Sequence, residues 1–400
     1  MPLPSTKAPA FNPLVGDLSA PPIPSVFAWG RAYQGGAGPL IDLSQAAPGY
    51  PPHSDMLAWL AAAAGSTAYS GYGPIEGEPA LRQAYAEHMT SVYGAPFEPD
   101  NVHITAGANQ GFMCVAMALA GHGDRIALPC PFYFNHDTTL AMLGIETVPV
   151  ACDPEQGFLP DMASVKAALS SGVKALVIIT PNNPTGAIYP ADVLRELYRL
   201  CREAGTWLVL DETYRDFLID ASVTPHDLFD QPDWQSGLIQ LYSFSKSFCI
   251  PGHRMATITA GPEVVAQVLK VMDNLQICPP RAPQAALAKA IPALGNWREA
   301  NRLEILKRAD ALRAAFKSLP DWRLDSLGAY FAFARHPFGD LPSAVVAEAL
   351  ARQAGVLCVP GSYFGPGQDH YLRLAFANAD VETIARLPER LLGFDPRNSA

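Results

Sequence analysis

Between residues 102 and 260, short apolar runs alternate with longer stretches that have helical periodicity. The runs at 102–105, 125–129, 146–150, 175–180, 207–210, 239–243 and 255–260 are rich in Val, Ile and Leu and read as strands. Ala175-Leu-Val-Ile-Ile-Thr180 is apolar on both faces, as a strand covered by helices on each side must be. Helical periodicity fills 110–119, 161–169 and 191–204, and a helix at 77–93 precedes the strands, with Pro79 tolerated in its first turn. A further helix at 263–275 aligns Val264, Val265, Val268, Leu269 and Met272 on one face. This alternation predicts an α/β domain: a mainly parallel, mixed sheet sandwiched by helices.

After about residue 280 the order changes. A long helical region at 283–319 precedes strands at 322–325, 330–334, 356–359 and 371–376, with helices at 342–353 and 381–392 between and after them. That pattern predicts a smaller α+β domain. Residues 1 to 50 are rich in Pro, Gly and Ala and read as a non-helical arm that joins the smaller domain in space. The expected division is therefore 1–50 for the arm, 51–285 for the large domain and 286–400 for the small C-terminal domain.

Composition narrows the class. A chain of 400 residues with 49% apolar content has enough material for two cores and an oligomer interface. The formal charge of −10 argues against nucleic acid or an anionic membrane as partner, since both need clustered Lys and Arg. Seven scattered cysteines with no C-x-x-C pair predict free thiols and no structural zinc or other metal. The opening Met-Pro-Leu-Pro-Ser-Thr-Lys lacks the basic-then-apolar pattern of a secretory signal, and no apolar run reaches membrane-spanning length, so a soluble cytoplasmic protein is expected.

Ligands of α/β sheets bind at the carboxyl ends of parallel strands, so the strand ends are where chemistry is expected. One of them leads into Leu241-Tyr-Ser-Phe-Ser-Lys-Ser-Phe-Cys-Ile-Pro-Gly-His-Arg254. A lysine amine forms a Schiff base with an aldehyde, while hydroxyls and a guanidinium suit a dianionic phosphate. Lys246, Ser243 and Arg254 thus fit the two ends of pyridoxal phosphate. Thr105-Ala-Gly-Ala-Asn-Gln110 opens a helix whose backbone N–H groups suit the same phosphate. Tyr133, after Pro131, offers a ring for stacking or for core packing. Asn183 reads as an amide donor to a ring oxygen or as an ordinary turn residue. Asp211 ends an apolar strand, where an acid needs a cation or donor; a protonated pyridine nitrogen is one candidate and a structural cap is the other.

Taken in order, Tyr72-Gly-Pro-Ile-Glu-Gly77, Ala106-Gly-Ala-Asn109, Pro131-Phe-Tyr133, Asn183-Pro-Thr-Gly186, Asp211-x-x-Tyr214, Ser243-x-Ser-Lys246, Arg254 and Arg373 resemble the fold-type-I pyridoxal-phosphate aminotransferases, and within them the aspartate, aromatic and kynurenine class. The resemblance covers roughly residues 40 to 390. It implies an enzyme that exchanges an amino group between an L-α-amino acid and a 2-oxo acid, by a ping-pong mechanism through a Lys246 Schiff base. It implies that Asp211 pairs with the pyridine nitrogen, that Asn183 and Tyr214 hold the ring oxygen, and that Tyr133 stacks on the ring. Gly107, Ala108, Asn109, Ser243 and Arg254 would bind the phosphate, and Arg373 the substrate α-carboxylate. Tyr72, or Tyr69 in its place, would reach the phosphate of a neighbouring subunit, making a homodimer the active unit.

The chain departs from the family in Leu43-Ser-Gln-Ala-Ala-Pro48, where Ala46 stands at a position that usually holds Gly and contacts the substrate carboxylate. A second cation for acidic substrates is not evident; Arg281 and Arg31 are the candidates, with a surface or interface role as the alternative. Phe27, Trp29 and Tyr33 either wall an apolar side-chain pocket or anchor the arm. Other reactions of the same cofactor compete with transamination: a carbon–sulfur lyase, a decarboxylase or an oxygen-using deaminase. A non-catalytic regulator on this fold would need an N-terminal DNA-binding helix-turn-helix, which the arm's composition does not suggest.

Overall fold

Alternation along the central strands divides two cores. Leu176, Ile178, Leu208 and Leu210 face one hydrophobic cluster, while Val177, Val209, Ile239 and Leu241 face another on the opposite side of the sheet. Period-two geometry sends successive side chains to opposite faces, so a continuous apolar run buries both. The computed structural model describes residues 9–398; the first eight residues of the expected arm, and with them the opening heptapeptide, lie outside the described residues.

Five strands run parallel as neighbours: Leu238–Ser243, Trp207–Asp211, Ala175–Ile179, Arg125–Cys130 and Glu146–Asp153. Ala256–Thr259 joins Leu238–Ser243 antiparallel and carries Val102–Thr105 antiparallel at that edge. Leu159–Pro160 closes the other edge antiparallel. Register places Ile179 beside Asp211 and Asp211 beside Leu241, so two strand ends fall in one row and the third strand runs two residues further, to Ser243. This is an α/β fold with a mixed, mainly parallel sheet flanked by helices. Helix Arg281–Ala293 buries Ala286, Leu287 and Ala290 in one of its cores.

The second unit has a four-stranded antiparallel sheet in the order Arg323–Gly328, Phe331–Arg335, Tyr371–Leu374, Val359–Pro360. The long helix Gly295–Lys317 packs Ile305, Ala309 and Leu312 into its core. The arm joins this unit through Ile41–Asp42, which pairs parallel with Val356–Leu357.

Several local expectations change. The arm is not helix-free: Pro13–Gly16 and Pro22–Ala32 are helical, because proline in a first turn sacrifices only an N–H that has no intrahelical partner. The strand expected at 356–359 is two strands that part at Cys358 and pair in different sheets. The helical stretch expected at 283–319 breaks at Leu294 into two helices. The helix at 342–353 ends in a wider π-helical turn, Leu350–Ala354, and that at 381–392 breaks at Arg386, two residues before Pro388. Two helices not expected from the pattern, Ser54–Ala64 and Phe134–Met142, complete the large unit. Among the described residues no helix is long and apolar enough to cross a membrane.

Candidate active site

A cavity of about 410 Å³ opens at the carboxyl ends of the parallel strands, between the large sheet, the arm and the small sheet. Eleven of the thirteen residues singled out from the sequence line it. Gly107 sits just behind, and Tyr72 stands apart.

Lys246 follows the end of Leu238–Ser243 on a single helical turn, Phe244–Ser247. Its Nζ donates to the Ala46 carbonyl and lies 5.9 Å from the centroid of the Tyr214 ring. Burial, together with the Arg254 and Arg373 guanidinium groups, pulls the amine down to about 8. A buried lysine held this way is available as a neutral nucleophile near physiological pH. The chain beyond it turns through two left-handed non-glycine residues, Cys249 (φ 57°) and Arg254 (φ 51°). Such conformations cost on the order of 1–3 kcal/mol each and cluster at functional sites.

Asp211 ends the neighbouring strand and is 5% exposed. Its Oδ1 accepts from the Thr213 N–H at 3.0 Å, and its Oδ2 lies 3.5 Å from His136 Nε2. Glu212, one residue on, points to the other face of the sheet, where it accepts from Tyr93 (2.5 Å) and meets His226 (3.4 Å). Alternation alone decides which carboxylate faces the cavity. His136 itself stacks on Phe112 with ring centroids 4.0 Å apart. Tyr133 lies edge-on to His136 and accepts from Asn135 at 2.8 Å.

The anion cradle is formed by two segments. Gly107 (φ 90°) caps helix Ala108–Leu119, and any Cβ there would collide with Arg254 Nη2. Glycine is required both for that dihedral and for the close approach of the guanidinium. Ser243 accepts from the Ser245 N–H at 3.3 Å, and the buried Ser245 hydroxyl, which lines the cavity, has no partner. A helix start, two serines and an arginine with an unsatisfied hydroxyl between them suit a phosphate.

Arg373, on the Tyr371–Leu374 strand, enters from the small sheet. Its Nη1 donates to Asn183 Oδ1 at 3.1 Å and its Nη2 to the Ser44 carbonyl at 2.5 Å, while Nε is unpartnered. Its guanidinium lies 5.1 Å from the Phe331 and Phe364 ring centroids. No carboxylate pairs with it among the described residues, a costly state for a buried cation and one a substrate carboxylate would relieve. The bond to Arg373 also orients the Asn183 amide, leaving its nitrogen as the donor. Burial keeps the Tyr214 phenol raised well above its ordinary range, so it too is a donor.

Other candidates lie elsewhere. Arg281 is tied to Glu78 (2.5 Å) and the Gly71 carbonyl (3.2 Å), with the Tyr69 ring centroid 5.5 Å away, and it does not line the cavity. Arg31 is exposed on the arm helix and does not line it either. Phe27 lines the cavity, whereas Trp29 packs into the small unit's core and Tyr33 donates to the Gly38 carbonyl at 2.9 Å. His136, Ile23 and Phe134 had no role of their own in the sequence, whereas Ser245 belonged to the hydroxyls flanking Lys246. The spacing of three between Tyr133 and His136 was the available signal for the histidine, once a helix is recognised there.

Comparison with known proteins agrees in kind. The sequence profile of the family aminotransferase class I and II matches residues 38–391. The chain is 28% identical over 330 residues to the aromatic aminotransferase ISS1 of Arabidopsis thaliana, covering 80% of this chain and 81% of that protein. It is 29% identical over 369 residues to the aspartate/prephenate aminotransferase of Thermus thermophilus, covering 88% and 90%. The solved structure of the Thermus thermophilus aspartate aminotransferase with maleate superposes with a TM-score of 0.87 at 25% identity, covering 96% of this chain and 99% of that one.

Proposed function

The chain belongs to the class I and II aminotransferases, enzymes that transfer an amino group between amino acids and 2-oxo acids, and from that premise we propose that its cavity holds pyridoxal 5'-phosphate on Lys246. The observation that carries the reading is one cavity in which a buried lysine with a depressed pKa sits near two arginines, one beside a glycine-lined helix start and one without a carboxylate partner. When bound, the cofactor supplies an aldehyde to the lysine and a cationic pyridine ring that withdraws electrons from the substrate α-carbon.

The protein's own groups do the rest. Gly107, Ala108, Asn109, Ser243, Ser245 and Arg254 hold the phosphate end. Asp211, steadied by the Thr213 N–H and His136, would pair with the pyridine nitrogen and favour its protonated form. Asn183 and Tyr214 donate to the ring oxygen, and Tyr133 covers one ring face. Arg373 forks onto the substrate α-carboxylate beside Ala46, whose carbonyl already accepts from Lys246. Lys246 Nζ, neutral above about pH 8, would take the proton from the substrate Cα and pass it to the carbon of the former aldehyde within the same half-reaction, and would carry a proton the opposite way in the second.

The active unit on this reading is a homodimer. Tyr72 is 81% exposed on a loop that Arg281 and the Cys278 thiol tether, and Leu275 and Ile277 next to it are also exposed. These residues suit contact with a second copy, whose phosphate Tyr72 would reach. All seven cysteines are free thiols, which supports a reducing, cytoplasmic setting.

The test is a spectral half-reaction. An L-amino acid is expected to bleach the cofactor absorbance of the purified enzyme, and a 2-oxo acid to restore it. Release of ammonia or pyruvate without an acceptor would instead make it a lyase or deaminase.

A further inference from the structure

Once the residues proposed to hold the cofactor and the α-carboxylate are set aside, one stretch of cavity wall is left without a role. It consists of Ile23 and Phe27 from the arm helix and Phe134 from the start of the Phe134–Met142 helix, with Gln45 and Ala47 beside them. Ile23 and Phe27 are four positions apart, so the Pro22–Ala32 helix presents both on one face. Phe27 is braced by a small cluster of Val26, Ala351 and Leu357. Phe134 is braced by Phe364, at a centroid distance of 5.6 Å.

Among the described residues the wall contains no cation. The cationic side chains lining the cavity are Lys246, Arg254 and Arg373, each already placed at the cofactor or the α-carboxylate. Arg281, the nearest alternative in the sequence, is paired with Glu78 outside the cavity. A second carboxylate on the substrate would therefore be desolvated against isoleucine and phenylalanine with only the neutral Gln45 amide to meet it, which is strongly unfavourable. An apolar side chain would bury its surface against the same groups.

We propose that Ile23, Phe27 and Phe134 form the substrate side-chain pocket and that it selects apolar or aromatic α-amino acids over dicarboxylic ones. The proposal rests on the aminotransferase reading of the cavity. Two of its three residues come from the arm, a segment distant in sequence from every residue proposed to hold the cofactor, and the third, Phe134, directly follows Tyr133.

The experiment measures kcat/KM of the half-reaction for phenylalanine, leucine, alanine and aspartate in the wild type, Phe27→Ala and Phe27→Leu. Phenylalanine or leucine is expected to exceed aspartate by at least about 100-fold, because the aspartate side-chain carboxylate would lose its hydration without meeting a cation. Phe27→Ala is expected to lower the phenylalanine-to-alanine ratio at least about tenfold, and Phe27→Leu to restore most of it. Aspartate equal to or faster than phenylalanine, or an unchanged ratio in Phe27→Ala, would overturn the proposal while leaving the aminotransferase reading intact. Absence of a half-reaction with all four donors would count against that reading instead. The pocket is then read without turnover, by calorimetric titration of the purified protein with 3-phenylpropionate and succinate. The former is expected to bind at least about tenfold more tightly and to weaken in Phe27→Ala; tighter binding of succinate would sink the pocket.

Discussion

One wall of the cavity is made by strand ends of the large sheet, the other by the arm and the small sheet, and the two are held by different forces. On the strand-end wall, Asp211 ends one parallel strand and is paired on both sides, while Lys246 follows three residues after the end of the next, on a buried helical turn. On the other wall, Arg373 is held from across the cleft by the Ser44 carbonyl and Asn183, and the arm is fastened by a two-residue pairing with Val356–Leu357. The first wall is rigid because it belongs to a core. The second is held by a few contacts between units, so it can change its substrate preference without disturbing the groups that move protons.

Substitutions on the two walls should therefore separate chemistry from recognition. The largest effect is expected for Lys246→Ala, with turnover reduced at least ~10⁴-fold while cofactor is still retained, as measured by activity and bound absorbance. More than a few per cent residual activity would break the assignment. The same variant tests the buried amine. Lys246 titrates near 8 in the folded chain and near 10.5 when unfolded, so the unfolded chain holds the extra proton between those values. With cofactor removed, wild-type stability is expected to rise relative to Lys246→Ala as the pH goes from about 8 to 10.

Next in size is Arg373→Ala. It removes a two-armed grip on the α-carboxylate and is expected to lower kcat/KM about 10²–10⁴-fold, at about 1.5–3 kcal/mol for each of two charged hydrogen bonds, with cofactor affinity unchanged. Weakened cofactor binding of the same size would mean that the small-sheet wall also serves the cofactor. The smallest effect is expected for Arg281→Ala, which frees the Tyr72 loop. A few-fold rise in the dimer dissociation constant, measured by sedimentation, with phenylalanine-over-aspartate preference unchanged, would keep Arg281 out of substrate recognition. A change in that preference would bring it back in.

How much of this was legible in the chain follows the same division. Lys246, Ser243 and Arg254 stand within twelve residues of one another, and Asp211 and Tyr214 within four, each beside a recognisable apolar run. His136 was hidden because its helix is short and largely polar, so no apolar stripe announced it. Ser245 was legible as a hydroxyl beside Lys246, and its unpartnered, buried oxygen in the cavity wall is what the fold adds. Ile23 and Phe27 were obscured by prolines that read as arm when they in fact open a helix.

By itself, the sequence determined which segments of the large sheet end in an acid, a lysine or a glycine turn, and hence the family and its reaction. Those features are local, set by side-chain period and by dihedrals that a few adjacent residues control. Tertiary structure alone decided that Arg281 is used up by Glu78 and that Ile23 and Phe27 complete the cavity wall. Arg373 meets Asn183 across 190 positions and Ser44 across 329. Contacts at that separation depend on how two cores and an arm pack, which no local pattern encodes.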